Sequence, residues 1–418
     1  MSTRSEVEKS KNDERNYRHL TLENELQVLL VSDSETDKAS ACLDTKVGSL
    51  ADPKDTQGIA HFLEHMLFMG TEKYPDENDY NKFLSSHGGM SNAYTDSEDT
   101  VYFFDVNQEH LAGALDRFAQ FFIAPLFTQS ATDRELNAVN SENSKNQQTD
   151  VWREMQLKKS LSRPDHPFHN FGTGNLATLR DGPRDANIDL RARLLDFHAT
   201  HYSSNLMRLV IIGRESLDVL ETMATTCFQD AANKQIERPI YEENPYRAED
   251  LGKRLSVVPI KDARKIEMTW LLPPVQNKYE SKPANYLSHL IGHEGKGSIL
   301  SLLKQKGWAN GFSSGLFASG TCFSIFGVQI DCTDEGIENA DFVVSVVYQY
   351  LAMLRNEGPH EWIFNESRDI AAINFLFKSK SRPIDYSVSC ATSMQIYPPE
   401  RTLTGSSKLP RTHEIFCG

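Results

Sequence analysis

The sequence lacks any run of roughly eighteen or more apolar residues, so no membrane-spanning helix is expected. Cysteine is sparse. The six residues Cys42, Cys227, Cys322, Cys332, Cys390 and Cys417 include no CxxC pair. This excludes a dense disulfide framework and points to lone thiols in a reducing compartment. Basic residues are in the minority, 44 Lys and Arg against 58 Asp and Glu, giving a net charge of −14. That balance disfavours nucleic acid as a partner and suits neutral or basic peptides. The opening stretch MSTRSEVEKSKNDERNYRHL has no apolar centre of a secretory signal and too many acids for a mitochondrial leader. A cytoplasmic location is the resulting expectation. No phosphate loop of the form GxxxxGK[ST] occurs.

With 418 residues, 39% apolar and 24% charged, the chain is too long for one ordinary core and composed like a globular protein. The expected plan is a disordered lead-in over 1–18, a first domain over 19–236, a linker over 237–247 and a second domain over 248–418. In the first domain, β-prone runs at 26–32, 39–47, 100–106 and 208–213 read as strands. Helical periodicity covers 58–69, 80–87, 109–122, 133–148 and 217–231, the last with Ser216 as N-cap. In the second domain, strands are expected at 255–259, 266–272 and 323–331, and helices at 298–306 and 340–355. TVYFFDVNQEHLAGALDRFAQFF and FSIFGVQIDCTDEGIENADFVVSVVYQYL share one pattern: strand, acidic turn, long helix. The fold class is therefore α+β, with two similar domains that each pack a mainly antiparallel sheet against helices.

The chemistry concentrates in His61-Phe62-Leu63-Glu64-His65, inside the most clearly amphipathic segment. Histidines at i and i+4 share a helix face and can hold one metal ion between them. Glu64 borders that face and could take a proton from water activated by the metal. Two histidines beside one acid also arise by chance. A hydrolytic zinc site needs a third protein ligand and an open position. Glu135 and Glu142, seven residues apart, lie on one stripe of the 133–148 helix. By spacing alone they could equally form a solvated acidic face. His166, His169, His198 and His201 are irregularly spaced and read as structural.

GIAHFLEHMLFMGTEKYPDENDYNKFL followed by NAVNSENSKN resembles the inverzincin, or pitrilysin-type, zinc metallopeptidases, on their insulysin branch. The resemblance extends through SNAYT, ALDRFAQFFIAPLF, HPFHNFGTGN, HYSSNLM and GRESL, and on to HLIGHEGKGSILSLLKQKGW, stopping near Pro399. It implies one Zn2+ per chain held by His61, His65 and Glu142, with Glu64 as general base and Glu135 orienting a ligand imidazole. It makes 19–236 the catalytic domain and 248–418 a non-catalytic homologue, together half of a pitrilysin-type clamshell. SNAYT matches a strand whose backbone pairs with substrate, with Asn92 and Ala93 touching the scissile region. Phe68, Tyr94 and Trp152 match residues near the cleft, though ordinary core packing explains aromatic residues equally well. Gly292 and Glu294 match an exosite for the substrate's N-terminus. The neighbouring ANGFSSGL lacks the family's double glycine, and Met155 stands where an aromatic is common.

Family chains are far longer. From about residue 400 this one continues as ERTLTGSSKLPRTHEIFCG, which matches nothing in the family. The expected activity is zinc-dependent endoproteolysis of short or partly unfolded peptides. The alternative is a truncated, feebly active fragment that binds peptides or regulates a relative. The expected partners are peptide substrates, and either a second copy of the chain or a C-terminal half.

Overall fold

The computed structural model describes residues 3–241 and 244–409. The chain divides into two compact units. Of the described residues, one unit holds those up to Pro239 together with Ser379–Thr404; the other holds those of Ile240–Lys378 and those from Gly405.

The first unit is built on a seven-stranded sheet: β1 (Thr3–Ser5), β2 (Asn16–Thr21), β3 (Gln27–Ser32), β4 (Lys38–Thr45), β5 (Met90–Thr95), β6 (Thr100–Asn107) and β7 (Met207–Gly213). Their order is β1-β2-β3-β7-β4-β6-β5, with β5 at one edge. Every pairing is antiparallel except β3 with β7. Residues 3–5 and 16–18, expected in a disordered lead-in, instead form strand. Leu20 in β2 is fully buried and draws this segment onto the sheet.

The central strands read as near-continuous apolar runs because both faces are covered. Val28 and Leu30 on β3, Leu43 on β4, and Leu209 and Ile211 on β7 join the large core on one face. Leu29, Val31, Cys42, Val210 and Ile212 form a second core on the other. The large core is closed by α1 (Ile59–Leu67), α2 (Asp79–Ser86), α3 (Leu111–Ile123) and α4 (Gln129–Asn146), and by the helices Leu190–His201 and Leu217–Phe228. The expected helices are present within a few residues. Ser216 does cap the last of them, accepting from the Val219 backbone N–H.

The second core is covered by a helix from far down the chain, Pro383–Ile396. Its Tyr386, Cys390, Ala391 and Met394 form the apolar stripe. Polar contacts fix its register: Ser387 Oγ lies 2.9 Å from Ser40 Oγ, and Gln395 Nε2 donates to Asp44 Oδ1 at 3.1 Å. The expectation that everything past 248 belongs to a second domain therefore fails for this helix. An open sheet face of Leu, Val, Ile and Cys needs an apolar partner, and this amphipathic helix supplies one.

The second unit has a three-stranded antiparallel sheet, β8 (Lys265–Leu272), β9 (Ala309–Ser319) and β10 (Ser324–Cys332), in the order β8-β10-β9. This repeats the β4-β6-β5 arrangement of the first unit. The helices Ile299–Gln305 and Ala340–Glu357 pack on it around Leu303, Val328, Ile330, Val343 and Val347. The strand expected at 255–259 does not form. Leu255, Val257 and Val258 are exposed, and among the described residues no strand pairs with the other edge of β8.

Met394→Ala leaves a cavity over the second core and is expected to cost about 2–5 kcal/mol in urea unfolding. A loss below about 0.5 kcal/mol would show that the 383–396 helix is not a working part of the first unit.

Candidate metal centre

Helix α1 buries Ile59, Phe62, Leu63, Met66 and Leu67 completely, which turns His61 and His65 to its other side. Helix α4 packs against α1. Its N-cap Thr128 accepts from the Ala131 N–H, starting the helix four residues before the expected 133. Leu136 and Val139 face the core, so Glu135 and Glu142 emerge on the stripe nearest α1.

The structure brings three of the expected residues together. Ligand atoms of His61, His65 and Glu142 lie within 4.8 Å of one another, the only such group of three among the described residues. Glu142 Oε2 is 3.6 Å from His61 Nε2 and 3.6 Å from His65 Nε2. A tetrahedral ion with bonds of about 2.0–2.1 Å sets its donor atoms about 3.4 Å apart, so the spacing fits. The remaining ring nitrogens are engaged elsewhere. His61 Nδ1 is 2.7 Å from the Thr173 carbonyl oxygen, and His65 Nδ1 is 3.2 Å from Glu135 Oε2. Both partners only accept, so each Nδ1 carries a proton and each Nε2 faces the shared centre, where the neutral imidazole offers its lone pair to a metal ion. The Glu142 side chain remains 39% exposed, which leaves an open side for a further ligand.

Glu64 is buried beside this group, and Thr95 Oγ1 donates to its Oε2 at 2.6 Å. Burial raises its pKa, opposed by the charges of His61 and His65 and by the Thr95 hydrogen bond. For His65, burial works to lower the pKa, but hydrogen bonds to Glu135 and Glu142 and the Glu64 charge outweigh it and push the imidazole up to about 9. The hydrogen bond from His65 in turn holds Glu142 below the usual carboxylate range.

Asn92 and Ala93 lie on β5, at the free edge of the sheet. Alternation along the strand puts Ala93 with Thr95 on the Glu64 side and Asn92 on the opposite face. Gly292 ends the helix Pro283–Ile291 in the second unit, where a Cβ would meet Ser314 Oγ at 2.9 Å; Glu294 is exposed nearby. Phe68 packs edge-on against Phe121 at 5.1 Å as a core residue, whereas Tyr94 and Trp152 are exposed. The four middle histidines are structural: His166 caps the 167–169 turn, His169 hydrogen-bonds to the Ser162 carbonyl, His198 stacks on Tyr202 and His201 packs against Phe197. Five cysteines are free thiols; Cys417 lies outside the described residues.

Thr95 and Thr173 escaped the sequence reading as individual residues. Both lie in stretches singled out there, SNAYT and HPFHNFGTGN, but their roles depend on a side-chain and a carbonyl direction that spacing does not reveal.

The family model described as Insulinase (Peptidase family M16) matches residues 27–165, and the Peptidase M16 inactive domain matches 189–370. The chain belongs to the insulinase family of peptidases. Bovine (Bos taurus) insulin-degrading enzyme is 50% identical over 396 residues, covering 95% of this chain and 39% of the relative. A Schizosaccharomyces pombe protein named as a zinc protease is 43% identical, covering 95% and 41%. The crystal structure of pitrilysin superposes with a TM-score of 0.94 at 32% identity, covering 98% of this chain and 44% of that one. This insulinase-family chain thus spans about two fifths of the length of these curated relatives. No described helix is long and apolar enough to cross a membrane.

The raised His65 pKa gives the metal-free protein a pH signature. Its stabilisation is fully present below the ordinary imidazole value of 6.5 and is lost as pH rises to about 9. In chelator-treated protein, Glu135→Gln should lower the urea midpoint at pH ~6 and narrow that difference at pH ~10. An equal difference at both pH values would contradict the pairing.

Proposed function

We propose that the chain holds one Zn2+ between His61, His65 and Glu142 and hydrolyses peptide bonds in short or partly unfolded peptides. The observation that carries this reading is the convergence of two Nε2 atoms on one carboxylate, each 3.6 Å from Glu142 Oε2, beside a buried glutamate. Family membership and the name of the fission-yeast relative favour zinc over other divalent ions.

When bound, zinc supplies Lewis acidity toward water and a substrate carbonyl. With Glu142 in the ligand set and Glu135 engaged by His65 Nδ1, Glu64 is the acid left to act on water. Its carboxylate accepts the proton from the attacking water and returns it to the leaving amine. Thr95, donating to one Glu64 oxygen, fixes the carboxyl's rotation and leaves the other oxygen for the proton. The free edge of β5 offers backbone N–H and C=O groups to an extended peptide, with Ala93 on the Glu64 side of the strand. In the second unit Gly292 and Glu294 stand as a site for the substrate's N-terminus. The lone thiols and negative charge suit a cytoplasmic protein that binds peptides rather than nucleic acid.

A second reading is favoured by length. In it the chain is a feebly active peptide-binding or regulatory fragment that oligomerises or pairs with a full-length relative or a C-terminal half; the chain covers 39% of the bovine relative. A fluorogenic peptide assay with metal analysis separates the readings. Glu64→Gln is expected to keep stoichiometric zinc and lose cleavage by about a hundred- to ten-thousand-fold. Cleavage that appears only after adding a C-terminal half of a relative supports the second reading. Wild-type cleavage unaffected by Glu64→Gln would remove the assigned base.

A further inference from the structure

The metal helix begins without a cap of its own. Its N-cap is Gly58, at φ +91, and neither a side-chain cap nor an acidic residue occupies its first turn. N–H groups of that turn, which no intrahelical carbonyl can reach, are instead taken by a residue well upstream. Asp52 Oδ2 accepts from the Gly58 N–H at 2.7 Å and Oδ1 from the Ala60 N–H at 2.9 Å. The carboxyl is buried, so these bonds have no competition from water.

The same residue also holds the segment that orients the first ligand. Asn170, itself 4% exposed, donates from Nδ2 to the Asp52 carbonyl oxygen at 3.3 Å. Three residues later the Thr173 carbonyl accepts a hydrogen bond from His61 Nδ1. The strap and helix are further pressed together at their glycines. A Cβ on Gly58 would fall 2.3 Å from the Gly174 Cα. Gln57 Oε1 adds a bond from the Phe171 N–H at 2.8 Å.

We infer that Asp52 is a positioning residue for the metal ligand His61, fixing the first turn of α1 with its carboxylate and the 170–174 strap with its carbonyl. His61 is the third residue of α1, so its Cα is set by the turn that Asp52 clamps. Its ring direction is set by the strap that Asp52 anchors. A carboxylate has an acceptor for each N–H, whereas an asparagine amide has one acceptor and would turn donors on the other. The role rests on the proposed metal site but concerns a residue that touches neither the metal nor the substrate.

The test compares Asp52→Ala, Asp52→Asn and Asn170→Ala in the full chain, with Val210→Ala, on the far face of the sheet, as a matched destabilised control. Zinc affinity is read by competition with a chromophoric chelator. Asp52→Ala should bind zinc about 10–100-fold more weakly, Asn170→Ala should move the same way, and Asp52→Asn should fall between Asp52→Ala and wild type. Val210→Ala should leave affinity within about twofold. In parallel, 15N NMR of the metal-free protein reads the His61 tautomer. Wild type should show a single Nδ1–H form, and the Asp52 variants a mixture. Unchanged zinc affinity in Asp52→Ala, or a loss no greater than in the control, overturns the inference, as does an unaltered His61 tautomer. If wild type itself takes up no zinc, the proposed function falls, and the tautomer still decides the role of Asp52.

Discussion

Two hydrogen bonds on the outer sides of the imidazoles set up everything the proposed metal centre can do. Thr173 accepts from His61 Nδ1 and Glu135 from His65 Nδ1, so both Nε2 atoms turn to one point near the Glu142 carboxylate. Without those partners each ring could flip or change tautomer, and two histidines at helical spacing would remain two histidines. The acidic partners also carry an electrostatic cost. Glu64, Glu135 and Glu142 crowd one side of α1, and in the absence of a cation His65 answers by holding a proton up to about pH 9. A divalent ion relieves that crowding, which is why the donor set fits a metal better than a solvated acidic face.

The sheet converts this local geometry into an alignment. Strand β5 ends at Thr95, whose hydroxyl reaches Glu64, and the outer edge of β5 is unpaired within the sheet. The strand that holds Glu64, the proposed general base, is therefore also the one whose free edge is proposed to pair with an extended peptide. The far face of the same sheet is closed by the 383–396 helix, so the unit bearing the proposed ligands is assembled from chain segments that precede and follow residues 240–378 in sequence.

Much of this was legible in the sequence because it depends on period and motif. The α1 stripe of Ile59, Phe62, Leu63, Met66 and Leu67 announces the helix and leaves the histidines on the other side. Spacing leaves Glu142 ambiguous and family resemblance singles it out; the 3.6 Å distances to both imidazoles give it a physical basis. What escaped depends on long-range partners. The helix 383–396 belongs to the first unit because an apolar sheet face lies open there, and no local pattern says which sheet an amphipathic helix will choose. The run 255–259 looks like a strand, yet β propensity alone does not make one where no ladder pairs with it. Asp52 lies outside the usual capping positions, and its partners are backbone N–H groups six and eight residues on. Thr173 acts through a carbonyl, which every residue has.

The central claim, that His61, His65 and Glu142 form one zinc centre, is tested most directly by zinc-edge X-ray absorption of the protein, together with Glu142→Ala. The account predicts one zinc per chain with two imidazole nitrogens at about 2.0–2.1 Å and a carboxylate oxygen at about 2.0–2.2 Å, and loss of that oxygen with weakened retention in the variant. Substoichiometric zinc after full loading, a single imidazole in the shell, or a shell unchanged by Glu142→Ala would contradict it.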